Sequence, residues 1–297
     1  MTTRSIGAFS LVSLALLQLS ACAGMSGTDL AAAALGTQSI AGINLGDAVG
    51  VAKGAGDAVR DVPVAEEVEI GRSVSASLLG AAPLTGNPQQ QAYVNRVGMW
   101  LALNSGRPDL PWHFGIIESP NVNAFATPGG NVFVTRALVE RCNSEDELAG
   151  VLAHEIGHVV QKHHLHDIQK NARKGLVLDV ASLKAGGLTG DAARAVARVG
   201  LEGYVRGLSR EDELEADRLG VVIAARSGYD PYGLVVVLQT LHANGSDSTT
   251  AMFLKTHPSP SDRLAALETE MPPSFDGMTA PNPALSRYAP VFKPASR

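Results

Sequence analysis

Residues 144–158 have the sequence SEDELAGVLAHEIGH, which predicts a long helix. Ser144, followed three positions later by Glu147, forms the capping-box pattern that marks a helix start. Apolar residues then recur at helical spacing from Leu148 to Val159. We therefore predict one long helix that begins at Ser144.

The second half of this helix carries the motif H-E-x-x-H. His154 and His158 are four residues apart, so both imidazoles project from one face of the helix and can bind one Zn²⁺ ion. Glu155 lies beside them, where its carboxylate can act as general base toward the water that a bound zinc ion makes acidic. The motif predicts a zinc-dependent hydrolase.

A catalytic zinc ion takes three protein ligands, so one more is needed from elsewhere in the chain. The acidic run at 211–217, EDELEAD, is the obvious source. On a helix, Glu213 and Asp217 share a face, which would offer one metal ligand and one acceptor for a ligand imidazole. Periodicity alone does not choose Glu213 over Glu202 or Glu211 as the ligand.

Other polar residues near the two motifs are expected at the surface. His163, His164 and His166 follow the motif helix and are interpreted as solvated residues favoured by its C-terminal dipole. Glu215 points about 200° away from the Glu213 face and is expected to face outward.

An amphipathic helix is predicted over about 89–103. Tyr93, Val97, Trp100 and Leu101 recur at i, i+4, i+7 and i+8, which places this stripe in the core.

Strand candidates follow at 112–117, 124–126 and 131–135, the last two around the turn Thr-Pro-Gly-Gly at 127–130. We predict a mostly helical α+β domain with a small sheet beside the motif helix.

The chain ends differ from this domain in composition. Arg4 and the apolar run that follows it predict an export signal over 1–21, and Leu-Ser-Ala-Cys at 19–22 resembles a lipobox with Cys22 as the lipid anchor. We assign 22–62, which is rich in small residues, to a tether, 63–270 to the catalytic domain and 271–297 to a Pro-rich tail. The Ala/Gly-rich segment at 175–207 is expected to form a mobile helical pair beside the site.

Composition excludes one class of partner. The formal net charge is −5, and the sequence has no Lys/Arg cluster. Nucleic-acid binding depends on neutralising phosphates, so no nucleic-acid partner is expected.

Four blocks resemble one family of proteins, in that family's order: 123–130 (NAFATPGG), 144–149 (SEDELA), the H-E-x-x-H motif and 209–217 (SREDELEAD). Over about 63–270, the chain resembles the gluzincin-type zinc metallopeptidases that include the CaaX prenyl protease, the heat-shock HtpX protease and Oma-like periplasmic members. The resemblance implies a zincin-like fold.

The same resemblance implies roles for individual residues. It makes Glu213, first residue of an E-x-x-x-D motif, the third zinc ligand, with Asp217 orienting His154. It also implies that strand 123–126 borders the cleft, where Asn123 and Ala124 would contact an extended peptide substrate.

His257 and Arg263 form the last candidate pair. Ser259 and Asp262 between them match a capping box, so these residues can be interpreted simply as a helix start. The resemblance instead implies that His257 and Arg263 are catalytic and stabilise the oxyanion of the tetrahedral intermediate. A further possibility is that His257 approaches the zinc ion and blocks its open position.

These observations predict a zinc endopeptidase with one Zn²⁺ per chain, anchored by lipid to the outer membrane and facing the periplasm. Its substrates would be misfolded or misassembled envelope proteins. The alternative is an envelope lipoprotein that acts as a chaperone or assembly factor with a structural zinc ion. The sequence lacks the long apolar spans and the helical-repeat extension of some relatives, so we expect no partner-docking module. Oligomeric state is not predicted.

Overall fold

The computed structural model describes residues 39–40, 43–44, 61–173, 206–245, 247–257, 259–276 and 278. The chain divides into two units, Met1–Ala58 and Val59–Arg297. In the first, the described residues form an antiparallel pair of two-residue strands, Ser39–Ile40 and Ile43–Asn44. The predicted signal peptide with Cys22, almost all of the predicted tether and most of segment 175–207 lie outside the described residues.

The second unit contains a three-stranded sheet of β1 (His113–Ile117), β2 (Ala124–Thr127) and β3 (Asn131–Thr135). Its strand order is β1-β3-β2, with β1 parallel and β2 antiparallel to β3. The turn between β2 and β3 needs Gly129 and Gly130 because their φ angles are 77° and 102°, in the region that disfavours side chains. Because β3 lies in the middle of the sheet, β2 is an edge strand. The cleft-bordering role predicted for it requires such an edge.

The described part of the second unit also contains nine α-helices. They are α1 (Val64–Ala81), α2 (Pro88–Leu103), α3 (Arg136–Arg141), α4 (Glu145–Val160), α5 (His163–Arg173), α6 (Arg210–Arg226), α7 (Gly233–Ala243), α8 (Ala251–Thr256) and α9 (Pro260–Glu270). A 3₁₀ turn, Pro273–Phe275, follows. The architecture confirms the predicted mostly helical α+β fold. None of the helices described is both long and apolar enough to cross a membrane.

Helix α4 is the centre of the domain, and all its residues from Leu148 to Val159 are buried. It packs against α2, α6, α7 and β2. At its start, the Ser144 Oγ accepts from the Glu147 backbone N–H at 3.1 Å. The Glu147 carboxylate accepts from the N–H of Asn143 rather than from that of Ser144. The predicted helix start is correct, but the Glu147 carboxylate accepts from the residue before the N-cap and not from the N-cap itself, as a capping box would require.

Small residues let α4 and α6 approach closely. A side-chain carbon added to Gly157 would lie 3.0 Å from the carbonyl oxygen of Ala216, and one added to Gly220 would lie 2.8 Å from the backbone nitrogen of His154. Two helix backbones can be this close only where one contributes glycine. The acidic residues of α6 are thereby brought next to the histidines of α4.

A buried ion pair ties α1 to the C-terminal end of α4. Both carboxylate oxygens of Glu67 accept from Arg107, at 2.8 and 2.7 Å, and Glu67 is completely buried. Arg107 also donates to the carbonyl oxygen of Val159 at 3.0 Å, and the N–H of Gly129 donates to Glu67. A bidentate pair that is also fully hydrogen-bonded offsets much of the cost of burying its charges.

Two local predictions are wrong. Trp100 is 49% exposed and lies outside the core because its indole N–H donates to the carbonyl oxygen of Ser227, at the surface edge of the α2 stripe. Ser259 precedes α9 but makes no side-chain cap bond to Asp262, because it adopts a left-handed conformation with φ 55°. The helix start at Pro260 is nevertheless where the pattern indicated.

Candidate metal centre

The two histidines of the motif face each other inside the domain. Successive turns of α4 bring His154 Nε2 and His158 Nε2 to 3.0 Å from one another, and both side chains are buried. Burial lowers the pKa of His158 well below its usual value, which keeps the ring neutral and its lone pair available. Neutral imidazole is the form that binds metal.

Helix α6 supplies the carboxylate. Ser209 and Asp212 form a reciprocal capping box that starts this helix, and Glu213 follows directly. Glu213 Oε2 lies 3.7 Å from His154 Nε2, and Glu213 Oε1 lies 3.5 Å from His158 Nε2. Burial alone would raise the pKa of Glu213, but the positive charges of His257 and Arg263 hold it down at about 2, so the carboxylate is ionised.

These groups fit a zinc ion. His154, His158, Glu213 and His257 offer nitrogen and oxygen atoms that all lie within 4.8 Å of one another, a donor set that suits zinc. Both oxygens of the neighbouring Glu155 are buried without a hydrogen-bond partner among the described residues. A buried carboxylate without a partner is costly, and a metal ion with its water would remove that cost. Burial also raises the pKa of Glu155, as suits a general base.

Asp217 and Arg263 hold the outer side of His154. Asp217 lies one turn after Glu213 on α6, and its Oδ1 is 2.9 Å from His154 Nδ1. Arg263, from α9, donates to both oxygens of Asp217, at 2.7 and 2.5 Å, and its Nη1 is 3.2 Å from Glu213 Oε2. The guanidinium is 1% exposed. The structure therefore places Arg263 between the carboxylates of Glu213 and Asp217.

His163 occupies the corresponding place behind His158. The Nδ1 atoms of the two rings are 2.9 Å apart, and His163 Nε2 lies 3.4 Å from Glu215 Oε2. His163 and His164 are both buried, so their interpretation as solvated residues was wrong. Lys162, with φ 59°, turns the chain so that α5 folds back over His158. That turn is a tertiary feature, and only the histidine-rich stretch directly after the motif hinted at it.

His257 approaches the site from the end of α8. Its Nδ1 lies 3.1 and 3.2 Å from the two oxygens of Glu213, and its Nε2 lies 3.7 Å from Glu155 Oε1. Burial by itself would lower the pKa of His257, but Glu213 and Glu155 raise it to about 9. The His257 ring thus lies beside His154, His158 and Glu213, among the groups that could hold a metal ion.

The predicted substrate-contact residues lie on the other side of His257. His257 Nε2 is 3.3 Å from the carbonyl oxygen of Ala124, and Thr256 Oγ1 donates to the side-chain oxygen of Asn123. The outer edge of β2 and the end of α8 are therefore in direct contact next to the site.

The sequence agrees with this geometry. Residues 88–271 match the model of Peptidase family M48. The chain belongs to peptidase family M48. It is 34% identical over 209 residues to a "Beta-barrel assembly-enhancing protease" of Escherichia coli (strain K12), covering 68% of this chain and 43% of that relative. It is 32% identical over 181 residues to a "Mitochondrial metalloendopeptidase OMA1" of Schizosaccharomyces pombe, covering 61% and 52%. The chain thus spans about half the length of these relatives.

Membership of family M48 confirms the predicted family resemblance, the metallopeptidase class and the zincin-like α+β fold. It also confirms zinc as the metal of this M48 domain, consistent with the donor set around His154 and His158. His163 and Glu215 are the residues of the site that sequence reasoning missed.

Proposed function

We propose that this protein is a zinc endopeptidase in which His154, His158 and Glu213 bind one metal ion. The observation that supports this most directly is the convergence of two imidazole nitrogens and one carboxylate within 3.0–3.7 Å, buried at the crossing of α4 and α6. Bound zinc would polarise the scissile carbonyl and make a water molecule acidic.

Glu155 is the proposed general base. It accepts a proton from the water that attacks the peptide carbonyl carbon, and it delivers that proton to the amine nitrogen as the C–N bond breaks. Its buried oxygens have no competing hydrogen bond within the described part of the chain, and its raised pKa suits both halves of this transfer.

Asp217, Arg263 and His257 complete the proposed machinery. Asp217 accepts the Nδ1 proton of His154, which leaves Nε2 for the metal, and Arg263 fixes Asp217 and Glu213 together. His257 carries a proton near the catalytic water site and can donate to the oxyanion. Arg263 contributes to that stabilisation through its charge, since its contacts are with the Asp217 and Glu213 carboxylates and with His154.

The substrate would bind along β2. In the β2–β3 pairing, Asn123 and Phe125 bond to β3, so the backbone groups of Ala124 point to the outer edge. An extended peptide could pair with this edge by strand addition, with Asn123 and Ala124 as contacts. For this, His257 must release the Ala124 carbonyl, so the segment 256–257 would move when substrate binds.

The proposed setting is the bacterial cell envelope, with misfolded or misassembled envelope proteins as substrates. The name of the E. coli relative, a β-barrel assembly-enhancing protease, supports this substrate class. The lipobox-like sequence supports a signal peptide over 1–21 and lipid attachment at Cys22. In the proposed organisation, a tether follows over 22–62, then the catalytic domain at 63–270 and the tail at 271–297. Release of a Cys22→Ser variant from the outer-membrane fraction would test the anchor, and continued membrane association would contradict it.

The deciding experiment is Glu155→Gln in the full chain. We expect stoichiometric zinc by elemental analysis, as in the unchanged protein, but loss of casein cleavage by about 10² to 10⁴, the range for losing a general base. Glu211→Gln, an exposed acid on α6, is the control and should leave cleavage unchanged. A Glu155→Gln variant that cleaves casein as fast as the unchanged protein would refute Glu155 as the general base, and a zinc-loaded unchanged protein that cleaves no casein would refute the peptidase proposal. An unchanged ability to suppress aggregation, with no cleavage by either protein, would favour the chaperone alternative.

A further inference from the structure

We infer that His163 and Glu215 are positioning residues that orient His158 toward the metal. This inference rests on the proposed function at one point, the binding of zinc by His158. Neither residue touches the proposed metal position directly. They act from the far side of the imidazole ring.

The three groups form a continuous chain. His158 Nε2 faces His154 and Glu213, whereas His158 Nδ1, on the opposite side of the ring, lies 2.9 Å from His163 Nδ1. His163 Nε2 then lies 3.4 Å from Glu215 Oε2 and 3.6 Å from Asp212 Oδ1. The chain leads from the metal position to the surface of α6.

When His158 binds a metal through Nε2, one arrangement of protons satisfies this chain. If His158 offers the Nε2 lone pair to a metal, its neutral ring carries the proton on Nδ1, and that proton needs an acceptor. His163 must then accept at Nδ1, so its own proton is on Nε2 and points at the Glu215 carboxylate. The acidic group at the end of the chain thereby selects the metal-binding tautomer of His158.

Two neighbouring residues, Gln161 and Lys162, hold His163 and Glu215 in place. His163 is buried, and the left-handed turn at Lys162, an unfavourable conformation for a residue with a side chain, is what aims it at His158. Gln161, on the same turn, donates to Glu215 Oε1 and holds that carboxylate beside His163.

The first test measures zinc affinity, by competition with a chromophoric chelator, in His163→Ala, His163→Asn and His166→Ala. We expect His163→Ala to weaken zinc binding about 10- to 100-fold, the usual effect of losing an outer partner of a ligand histidine. The Asn oxygen can replace Nδ1 as acceptor, so His163→Asn should stay within about threefold of the unchanged protein. His166, on the same helix, is the matched control and should not change the affinity.

A second pair guards against misfolding at the buried position. Glu215 is 47% exposed, so Glu215→Ala should fold normally; it should weaken zinc binding about threefold or more, whereas Glu211→Ala on the same helix should not. The d–d spectrum of the cobalt-substituted protein should shift in the Glu215→Ala variant but not in the Glu211→Ala variant.

The outcomes separate this inference from the proposed function. If the unchanged protein binds no zinc, or if His158→Ala binds it equally well, the proposed function fails. If zinc binding requires His158 but is the same in the unchanged protein, His163→Ala and Glu215→Ala, only the positioning inference is overturned. Equal weakening by His163→Asn and His163→Ala also overturns it, since an acceptor would then not matter.

Discussion

The two histidines of the motif are supported from behind by different kinds of chemistry. Behind His154 is a charged pair, Asp217 and Arg263, each 1% exposed. Behind His158 is a second imidazole, His163, backed by the half-exposed carboxylate of Glu215. We call these the Asp217 flank and the His163 flank. The first is closed to water, and the second leads to the surface.

The difference has an energetic consequence. Charges in the Asp217 flank cannot be solvated if a partner is lost, so each depends on the others. The His163 flank works through an imidazole ring and ends at a carboxylate that water can reach, so removing its outer members leaves a group that solvent can satisfy. The Asp217 flank should therefore dominate stability, and the His163 flank should matter mainly through the geometry of one ligand.

The largest expected effect is on folding, from Arg263→Leu. This change leaves Asp217 buried without its cation and removes one of the two positive charges beside Glu213, which should cost about 3–5 kcal/mol in the free energy of unfolding measured with urea. Arg210→Ala is the control: its pair with Asp262 is exposed, and the expected change is below about 1 kcal/mol. Similar midpoints for the two variants would show that the Asp217 flank is not a buried charge network.

The next effect compares one chemical change on both flanks. Asp217→Asn and Glu215→Gln each remove a charge and keep the shape. We expect Asp217→Asn to weaken zinc binding about 10- to 100-fold because Arg263 is left unbalanced beside His154, and Glu215→Gln to weaken it less than about threefold. Chelator competition measures both. Equal losses would mean that the exposure of Glu215 does not weaken its influence.

The smallest effect is expected at the outer end of the His163 flank. Gln161→Ala removes the donor that holds Glu215 in place, but water can replace that bond at a half-exposed site. Zinc affinity should fall by less than about twofold, because the net free energy of such a bond is small. A loss of affinity as large as that of His163→Ala would show that Gln161 controls the geometry of His158 as strongly as His163 does.

The position of Asp217 was predictable because its spacing from Glu213 is set within one helix, whereas its contact with Arg263, from α9, was not. His154 and His158 on α4, and Glu213 and Asp217 on α6, are each four residues apart, so 3.6 residues per turn places each pair on one face. The pairing of β2 with β3 was also predictable, from a Pro-Gly-Gly turn between two apolar runs.

The His163 flank could not be predicted in the same way. His163 lies five positions after His158, a spacing that does not bring side chains together on a continuous helix. Contact arises because α4 ends at Val160 and Lys162 reverses the chain. Glu215, on the side of α6 opposite to the expected ligand, is 47% exposed, in keeping with the outward position predicted for it, but its contact with His163 was not predicted. Trp100 likewise lies outside the predicted core, because its indole N–H donates to the carbonyl oxygen of Ser227, directly after α6.

The sequence by itself determined the metallopeptidase family, from motifs that occur in that family's order, and the motif helix. It also placed His154 with His158, and Glu213 with Asp217, on one helix face each, because this depends on spacing along one helix at a time. Tertiary structure alone decided that α4 and α6 cross at glycine contacts, that Arg263 joins Asp217, that His257 meets Glu213 and that His163 stands behind His158. The physical reason is that these contacts join elements far apart in the chain, or on either side of a turn. Their positions depend on packing rather than on local periodicity.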